Sequence, residues 1–463
     1  MALRHLADAA ARFSGDRRGN FAVMMALVCS VVVLAAGYGV NIAQLFMTRS
    51  NLLNALDAAV TSTARDLTTG HILEKDARPT VEAFLLANGG TGFAAADDIS
   101  LDSLVVDKAR GTVSAEASIL VDLAFPLFGT ADRQKVAVRS ASLYSDKKIE
   151  VAMMLDVTGS MSGQKIRDLK AAATNAVNAL LQGQGKTDPR VRVALVPYAE
   201  AVNAGRLASD VVFIEKAGGS NLPPPIDATR KEIRANTGAW EDNCATERKL
   251  MDGSADFSDD GPFSERLNDQ RRRYIARINR DDRLEVCPRA AIEPLTADAD
   301  VLKETIRDFS ASGVTAGGIG VQWAYYMLSS KWRSVIKGAG LGEGPADFDK
   351  KKVAKIAILM TDGQFNTAFA GRGANQGDKS RKNAEGLCGA MKEDGIEIFT
   401  IGFDLNSRDM QPWEQEQAKA VLRNCASPDV SSIKHYYEAS TGEELDAAYQ
   451  EIIRNTERLY LTM

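Results

Sequence analysis

The chain has 463 residues, of which 45% are hydrophobic and 25% charged, and its formal net charge is -5. These values fit a globular protein with room for two or three domains, and they give no sign of a nucleic-acid binder. Histidine occurs only at positions 5, 71 and 435. A histidine-rich metal site or a histidine-based catalytic triad is therefore not expected, and any metal chemistry should use oxygen ligands.

The first predicted element is a membrane helix. No charged residue occurs between Arg18 and Arg49, and Phe21 to Val40 is long enough to cross ~30 Å of hydrocarbon as a helix. This run is too long for a signal peptide and too poor in charge for a soluble core helix. Arginines are more frequent before the helix than after it, so residues 1–20 are predicted to be cytoplasmic and the chain after Thr48 to be exported.

This topology predicts a single-pass protein of the bacterial inner membrane whose bulk is periplasmic, or a protein that reaches the cell surface. Disulfide bonds persist in those compartments. Cys29 lies inside the apolar run, and three pairings of the other cysteines are formally possible. Those others are Cys244, Cys287, Cys388 and Cys425.

Helical spacing of leucines continues past the membrane, so residues 21–67 are predicted to form one helix whose second half is an exported stalk. Residues 68–147 then resemble a small α+β module. It begins with a helix, Pro79 to Ala87, that has proline in its first turn. The predicted strands of this module are Ser103 to Asp107, Thr112 to Leu120 and Val136 to Tyr144. No chemistry is evident here, and a spacer or docking platform is the interpretation.

Residues 148–463 alternate apolar strands with helices, which predicts an α/β domain with a doubly wound, mostly parallel sheet. The predicted strands are Ile149 to Leu155, Arg190 to Pro197, Val353 to Met360, Ile396 to Phe403 and an edge strand, His435 to Ala439. An insertion at about 200–294 breaks the pattern with many turn residues, and a loop this long is usually functional or partly disordered. Within it, Asp281, Asp282 and Glu285 are interpreted as a solvated face.

Three polar segments are predicted to meet where ligands bind in open α/β sheets, beyond the carboxyl ends of the strands. The segments are Asp156 to Ser160, Gly313 to Gly318 and Thr361 to Gly363. Asp156 and Asp362 supply carboxylates, and Thr158, Ser160 and Thr315 supply hydroxyls. Such oxygen ligands suit Mg²⁺, or Ca²⁺ or Mn²⁺. With few charged ligands, the ion can accept one more carboxylate from a protein partner.

Each segment alone is more simply explained as a helix cap or a turn. All three occur in order, however, and in the right strand context. The motifs DVTGSMS, VTAGG and ILMTDG together resemble the metal-ion-dependent adhesion site (MIDAS) of a von Willebrand factor A (VWA) domain, which has a Rossmann-like fold. The resemblance implies metal ligands at Asp156, Thr158, Ser160, Thr315 and Asp362. Thr158 stands where serine is commoner, which keeps the oxygen ligand.

A second resemblance covers nearly the whole chain. The segments RFSGDRRGNFAVMMALV, NIAQLFMTRSNLLNALDAAVTSTAR, KNAEGLCGAMKEDGIEIFTIGFDL and LRNCASP look like those of TadG-like proteins of the tight-adherence (Tad, or Flp) pilus system. That family implies a role in assembling or anchoring an adhesive pilus, with envelope proteins as partners. It also implies the disulfides Cys244–Cys287 and Cys388–Cys425. Gly19-Asn20 is similar to a pilin leader site, but Met24 replaces the glutamate of pilins, so no processing is predicted.

Three functions were weighed, and a non-enzymatic adhesion or assembly scaffold is the one predicted. A regulatory VWA subunit that positions substrate for another envelope complex is the alternative. A hydrolase is disfavoured because Ser160 has no histidine near it in any motif. The sequence leaves open whether the protein forms an oligomer.

Overall fold

A computed structural model of the chain describes residues 19–69, 72–88, 98–107, 110–126, 132–144, 147–182, 184, 189–215, 242–371, 375–408, 410–430 and 433–462. The chain divides into two compact units. Unit 1 comprises residues 1–67 and 72–145, and unit 2 comprises residues 68–71 and 146–463.

The described part of unit 1 contains two helices and a three-stranded antiparallel sheet with the order β1-β2-β3. The elements are α1 (Gly19–Thr69), α2 (Glu74–Asn88), β1 (Ile99–Asp107), β2 (Thr112–Asp122) and β3 (Arg133–Leu143). Among the described residues, one helix is long and apolar enough to cross a membrane. It is Val23–Thr68, with a mean hydropathy of 2.3 and 6% of its apolar window buried.

The second half of α1 belongs to the core of unit 1. Leu52, Leu56 and Val60 are fully buried, and they share a hydrophobic cluster with Val113 and Ala115 of β2. Their spacing of four puts them on one face of the helix, which the sheet covers. The predicted stalk is thus the helical layer of the module instead of a free rod.

Helix α2 begins earlier than predicted. It starts at Glu74, so Pro79 lies inside the helix and not in its first turn. The buried stripe of Ala77, Val81 and Leu85 explains the difference, because its packing extends the helix across the proline. Proline has no N–H to donate to the carbonyl four residues earlier, a loss that this packing outweighs.

Unit 2 is a mixed α/β unit. Its longer strands are β4 (Lys148–Asp156), β5 (Val191–Tyr198), β13 (Val353–Thr361) and β14 (Glu397–Phe403). A short strand, β15 (Tyr436–Ala439), lies at the edge of the sheet. The α-helices in its described part are α3 (Gln164–Leu180), α4 (Ala208–Val211), α5 (Ala299–Arg307), α6 (Gly317–Leu328), α7 (Arg333–Gly338), α8 (Gln376–Glu393), α9 (Pro412–Cys425) and α10 (Gly442–Thr462).

The main sheet has the order β15-β14-β13-β4-β5-β6-β8. Strands β15 to β5 pair in parallel, whereas β6 (Val202–Asn203), β8 (Cys244–Ala245) and β12 (Glu293–Thr296) join by antiparallel pairing. Alternate residues of β4 enter two separate cores: Met154 packs with α6, α8 and α9, and Met153 packs with α3, α5 and α10. Helices therefore cover both faces of the sheet, which is why β4 is a nearly continuous apolar run.

The insertion differs from the predicted long loop. Besides β6, β8 and β12, its described part forms four short strands, β7 (Val212–Ile214), β9 (Glu265–Leu267), β10 (Arg273–Ile275) and β11 (Ile278–Arg280). Strands of two to four residues have no periodicity that a sequence pattern could show. The proline run at 223–225 lies outside the described residues.

Part of the insertion covers helix α6, all of whose residues are buried. The Arg248 N–H donates to the Gln322 side chain at 2.9 Å, and the Gln322 amide donates to the Asp256 carbonyl at 2.8 Å. The Arg248 guanidinium lies 5.0 Å from the centre of the Tyr326 ring. A helix that is apolar all round must be covered on every side, and the insertion supplies the outer cover.

The interpretation of Asp281 was wrong. Its side chain is fully buried, with the Lys249 ammonium 2.8 Å from Oδ2 and the Arg283 guanidinium 3.0 Å from Oδ1. Two cations allow this carboxylate to be buried, and the sequence gives no sign that Lys249 lies beside it. The arginines 271–273, by contrast, are exposed.

Both disulfides lie in unit 2. Cys244 is joined to Cys287 and Cys388 to Cys425, with Cα–Cα distances of 6.0 and 5.1 Å, and these are the pairs that the family resemblance implies. The first bond ties β8 to the later part of the insertion. The second links α8 to the end of α9.

Candidate metal centre

A chain of hydrogen-bonded oxygens joins the first and third predicted motifs. The Thr158 hydroxyl donates to Asp156 Oδ1 at 2.6 Å and lies 2.9 Å from the Ser160 hydroxyl. The Ser160 hydroxyl donates to Asp362 Oδ1 at 2.6 Å. Asp156 ends β4 and Asp362 follows β13, the neighbouring parallel strand, so the two carboxylates meet at one edge of the sheet. The fold thus brings together four of the five predicted ligands.

Asp156 is fixed on its other side by two donors that the motif does not include. The Tyr198 hydroxyl donates to Asp156 Oδ2 at 2.8 Å, and the Thr361 hydroxyl donates to the same oxygen at 2.7 Å. Burial, and then the Asp156 carboxylate, raise the pKa of Tyr198 well above its usual range, so the phenol stays protonated and keeps donating. Asp156 is fully buried and has little freedom to turn.

Thr315 reaches the same edge through its backbone. The Gly159 N–H donates to the Gly313 carbonyl at 2.9 Å, which joins the second segment to the first. The Asn366 side chain accepts the Thr315 N–H at 2.9 Å, which joins it to the third. A Cβ at Gly159 would lie 3.1 Å from the Gly313 carbonyl oxygen, so glycine suits this close approach. The Thr315 hydroxyl remains a predicted ligand.

The two neighbouring carboxylates, Asp156 and Asp362, favour the binding of a cation at this site. Burial, reinforced by the Asp156 carboxylate, raises the pKa of Asp362 to about 6. The Lys165 ammonium lies 3.1 Å from Asp362 Oδ2 and 3.1 Å from Asp404 Oδ2, and it partly offsets the charge. Lys165 therefore adds a positive charge to the rim of the site.

The donor set fits a hard divalent cation. Carboxylates from Asp156 and Asp362 and hydroxyls from Thr158 and Ser160 offer oxygen only, the preference of Mg²⁺, Ca²⁺ and Mn²⁺. Asp156, Thr158 and Asp362 are buried, whereas Ser160 is exposed. An ion held by these residues would thus be reached from the Ser160 side, where a ligand from another molecule could approach.

Sequence reasoning missed three residues of the site: Tyr198, Lys165 and Asp404. It placed Thr361 in the third segment without predicting its bond to Asp156. Strand register could have found Tyr198, since it lies opposite Asp156 in the pairing of β4 with β5. Lys165 and Asp404 lie on a helix and a loop whose approach depends on tertiary packing, and no sequence signal marked them.

A second acidic group, Glu215 with Asp281 and Asp282, places carboxylate oxygens within 4.8 Å of one another. Lys249 already occupies it, with Nζ 2.6 Å from Glu215 and 2.8 Å from Asp281. This arrangement is an ion-pair network that fixes the insertion. It differs from the site at Asp156 and Asp362, whose oxygens bond mainly to one another.

No protein-family model matches the chain, and no curated protein matches it. Among solved structures, the vWF domain of the type V pili tip protein Mfa5 from Porphyromonas gingivalis is 13% identical and covers 68% of this chain and 97% of its own, with a TM-score of 0.37. The pilus adhesin SpaC from Lactobacillus rhamnosus GG is 11% identical, with 78% of this chain and 35% of its own covered and a TM-score of 0.36.

Proximal thread matrix protein 1 from the mussel byssus, with a zinc-occupied MIDAS motif, is 16% identical, with 67% of this chain and 46% of its own covered and a TM-score of 0.31. TM-scores this low do not support an inference about the fold or the function of this chain. The functional interpretation therefore depends on the geometry of the site.

Proposed function

We propose that this chain is a membrane-anchored, non-enzymatic binding protein whose unit 2 is a VWA domain with a doubly wound sheet. In this proposal Asp156, Thr158, Ser160, Thr315 and Asp362 hold Mg²⁺, or Ca²⁺ or Mn²⁺, and a carboxylate of a protein partner completes the coordination. The observation that carries the proposal is the chain of oxygens from Asp156 to Asp362, buried at both ends and exposed at Ser160.

The bonding of Ser160 supports a binding role over catalysis. A nucleophilic serine needs an adjacent general base that can take its proton at neutral pH. The Ser160 hydroxyl is instead shared between the Thr158 hydroxyl and the Asp362 carboxylate. His435, the histidine among the described residues, lies elsewhere, stacked on Phe399 at 4.6 Å.

The cellular role proposed is assembly or anchoring of a Tad-type adhesive pilus. The charge-free segment of α1 would hold the protein in the inner membrane with unit 2 in the periplasm. Both disulfides of unit 2 support this side of the membrane, because such bonds persist in oxidising compartments. The partners would be proteins of the pilus or of its envelope complex.

Mn²⁺ binding to the full-length protein in lipid nanodiscs tests the metal site. Electron paramagnetic resonance of free Mn²⁺ would be compared for wild type, Asp156→Asn, Ser160→Ala and a matched surface variant, Asp269→Asn. We expect wild type and Asp269→Asn to bind alike and the two site variants to lose about tenfold or more in affinity, or about 1.4 kcal/mol.

Ser160→Ala makes the result independent of folding, because Ser160 is exposed and its loss leaves Asp156 with its other donors. A wild type that does not bind Mn²⁺, or a Ser160→Ala protein that binds it as well as wild type does, would refute the proposed site. If the site binds Mn²⁺ as expected, binding of protein partners would next be measured with and without the metal.

A further inference from the structure

The segment Leu123–Pro126, which follows β2, lies against the apolar half of α1. The Phe125 ring packs on Gly37, where an added Cβ would lie 3.3 Å from the ring. A side chain at position 37 would require the ring to shift by a few tenths of an ångström, so glycine suits this close approach. Phe125 is nevertheless 48% exposed.

Two amide side chains of α1 bind the backbone of this turn. The Asn41 amide donates to the Phe125 carbonyl at 2.6 Å and accepts the Phe125 N–H at 3.0 Å. The Gln44 amide donates to the Asp122 carbonyl at 2.6 Å and accepts the Ala124 N–H at 3.1 Å. Each amide thus makes one donated and one accepted hydrogen bond with the backbone of the turn, as a neighbouring strand would. These bonds satisfy backbone N–H and C=O groups that would be costly to bury in an apolar medium.

The turn therefore has a defined height along α1. Phe21 to Val40 is the length of helix that spans ~30 Å of hydrocarbon, and residues 23–36 are exposed all round. Gly37 is the first buried residue after them. Phe125, whose side chain touches Gly37 and whose backbone binds Asn41, therefore lies at the outer end of the apolar segment.

Charges begin at about the same height on both elements. On α1 the charge-free segment ends just before Arg49, which lies about one and a half turns beyond Gln44. On the hairpin, Asp122 binds Gln44 through its backbone and directs its side chain to Arg133 at 2.8 Å. Leu123 to Pro126, which follow Asp122 on the turn, carry no charge.

We propose that the turn Leu123–Pro126 is a second membrane contact, with the exposed face of Phe125 in the interfacial layer of the bilayer beside α1. The inference rests on the proposed anchoring of α1. An aromatic side chain with satisfied backbone groups is suited to this layer, where apolar tails meet headgroups. The lipid would cover Phe125, and Asn41 and Gln44 would keep the turn at this depth.

Fluorescent labels on single cysteines in the full-length protein test this contact. In a Cys29→Ser background, Phe125→Cys and Leu143→Cys would each be labelled and reconstituted in vesicles of phosphatidylcholine and phosphatidylglycerol. Leu143 is the matched control, because it is an apolar residue 55% exposed at the opposite end of the same hairpin, ~34 Å away. Ala124→Cys repeats the measurement with Phe125 retained. The native Cys29, labelled in the wild type, reports whether α1 is inserted.

Nitroxide-labelled lipid should quench the labels at 125 and 124 about threefold more than the label at 143, since an interfacial group lies ~5–10 Å inside the headgroup boundary. Aqueous iodide should show the opposite order. A Cys29 label quenched by lipid, with those at 125 and 124 quenched no more than that at 143, would overturn the inference and leave the anchor in place. A Cys29 label quenched only by iodide would overturn the anchor, and with it the inference.

Discussion

Lys165 places a positive charge beside the proposed metal ligands. Its ammonium contacts Asp362 and Asp404 and is only 23% exposed, so solvent screens it incompletely. A divalent cation that binds Asp362 must approach this charge. The residue therefore weakens metal binding while it offsets the charge of the two carboxylates when no ion is bound.

We predict that Lys165→Gln tightens Mn²⁺ binding about fivefold, or about 1 kcal/mol, because it removes a charge of the same sign as the ion. Lys170→Gln is the control, since it makes the same charge change on α3 at a lysine that binds the Arg307 carbonyl. Isothermal titration of the two variants and wild type would measure the effect. Equal affinity for Lys165→Gln and wild type would contradict it.

Glu247 is a buried acid whose charge is poorly compensated. Its Oε2 accepts the Phe369 N–H at 2.8 Å, and burial raises its pKa to about 7. Lys249 lowers this pKa and Asp281 raises it, both by smaller amounts. Since the folded-state pKa exceeds the unfolded value of about 4.3, the protonated form stabilises the fold at low pH, and that contribution is lost as pH rises to about 7.

In the wild type, Glu247 should lower the free energy of unfolding by about 3 kcal/mol between pH 4.5 and pH 7.5. Glu247→Gln should lack this part of the decrease. Urea unfolding at several pH values would compare it with wild type. Glu265→Gln, at an exposed position in the same insertion, should follow the wild-type curve. Parallel curves for wild type and Glu247→Gln would show that Glu247 is ionised normally in the folded state.

At the scale of elements, a charged cluster joins β4 and β13 at the ends of these strands opposite the proposed metal centre. Lys355 of β13 donates to Glu150 of β4 at 2.7 Å, and both side chains are buried. The same ammonium donates to the carbonyls of Leu328 and Ala346, both at 2.6 Å. Lys355 therefore joins two strands, the end of α6 and the loop before β13.

Lys355→Met should destabilise unit 2 by about 3–5 kcal/mol, because it leaves a buried carboxylate short of a partner and two carbonyls without a donor. The double variant Glu150→Gln/Lys355→Met should be less damaging than the single one. Lys352→Met removes a lysine whose side chain is 81% exposed and should change the free energy of unfolding by less than ~0.5 kcal/mol. Chemical denaturation checks all three, and a neutral Lys355→Met would refute the role assigned to the cluster.

The long strands of unit 2 could be predicted because their positions are set by burial on both faces. β4 and β13 are apolar along most of their length, as a two-sided cover requires, and the polar residues that end them mark the site. The insertion could not be predicted in the same way. Its order depends on contacts between distant charges, such as Arg248 with Asp256 at 2.6 Å, and a sequence shows the charges without showing that they are buried.

At the scale of the whole molecule, the disulfides show where stability depends on the compartment. Cys388 and Cys425 are buried and close a loop of 37 residues between two helices. The bond restricts the unfolded chain and leaves the folded chain almost unchanged. The stability of unit 2 is therefore expected to depend on oxidation.

Replacing both with Cys388→Ser/Cys425→Ser should lower the free energy of unfolding by about 2–4 kcal/mol. A reducing agent should then cost this variant less stability than it costs wild type. Cys29→Ser, which alters an exposed free cysteine, should leave stability unchanged. Equal urea midpoints for wild type and the double variant would mean that this disulfide adds nothing to stability.

Helix α1 has a mechanical consequence. It runs for 51 residues without a proline, ~75 Å of continuous hydrogen-bonded turns, and its second half is bound into the core of unit 1. In the proposed anchored protein, a load applied to unit 1 would pass along this rod with no hinge to absorb it. Such a tether would fail by slipping out of the lipid as one piece, so its strength under pull would be set by the charge-free residues 19–48.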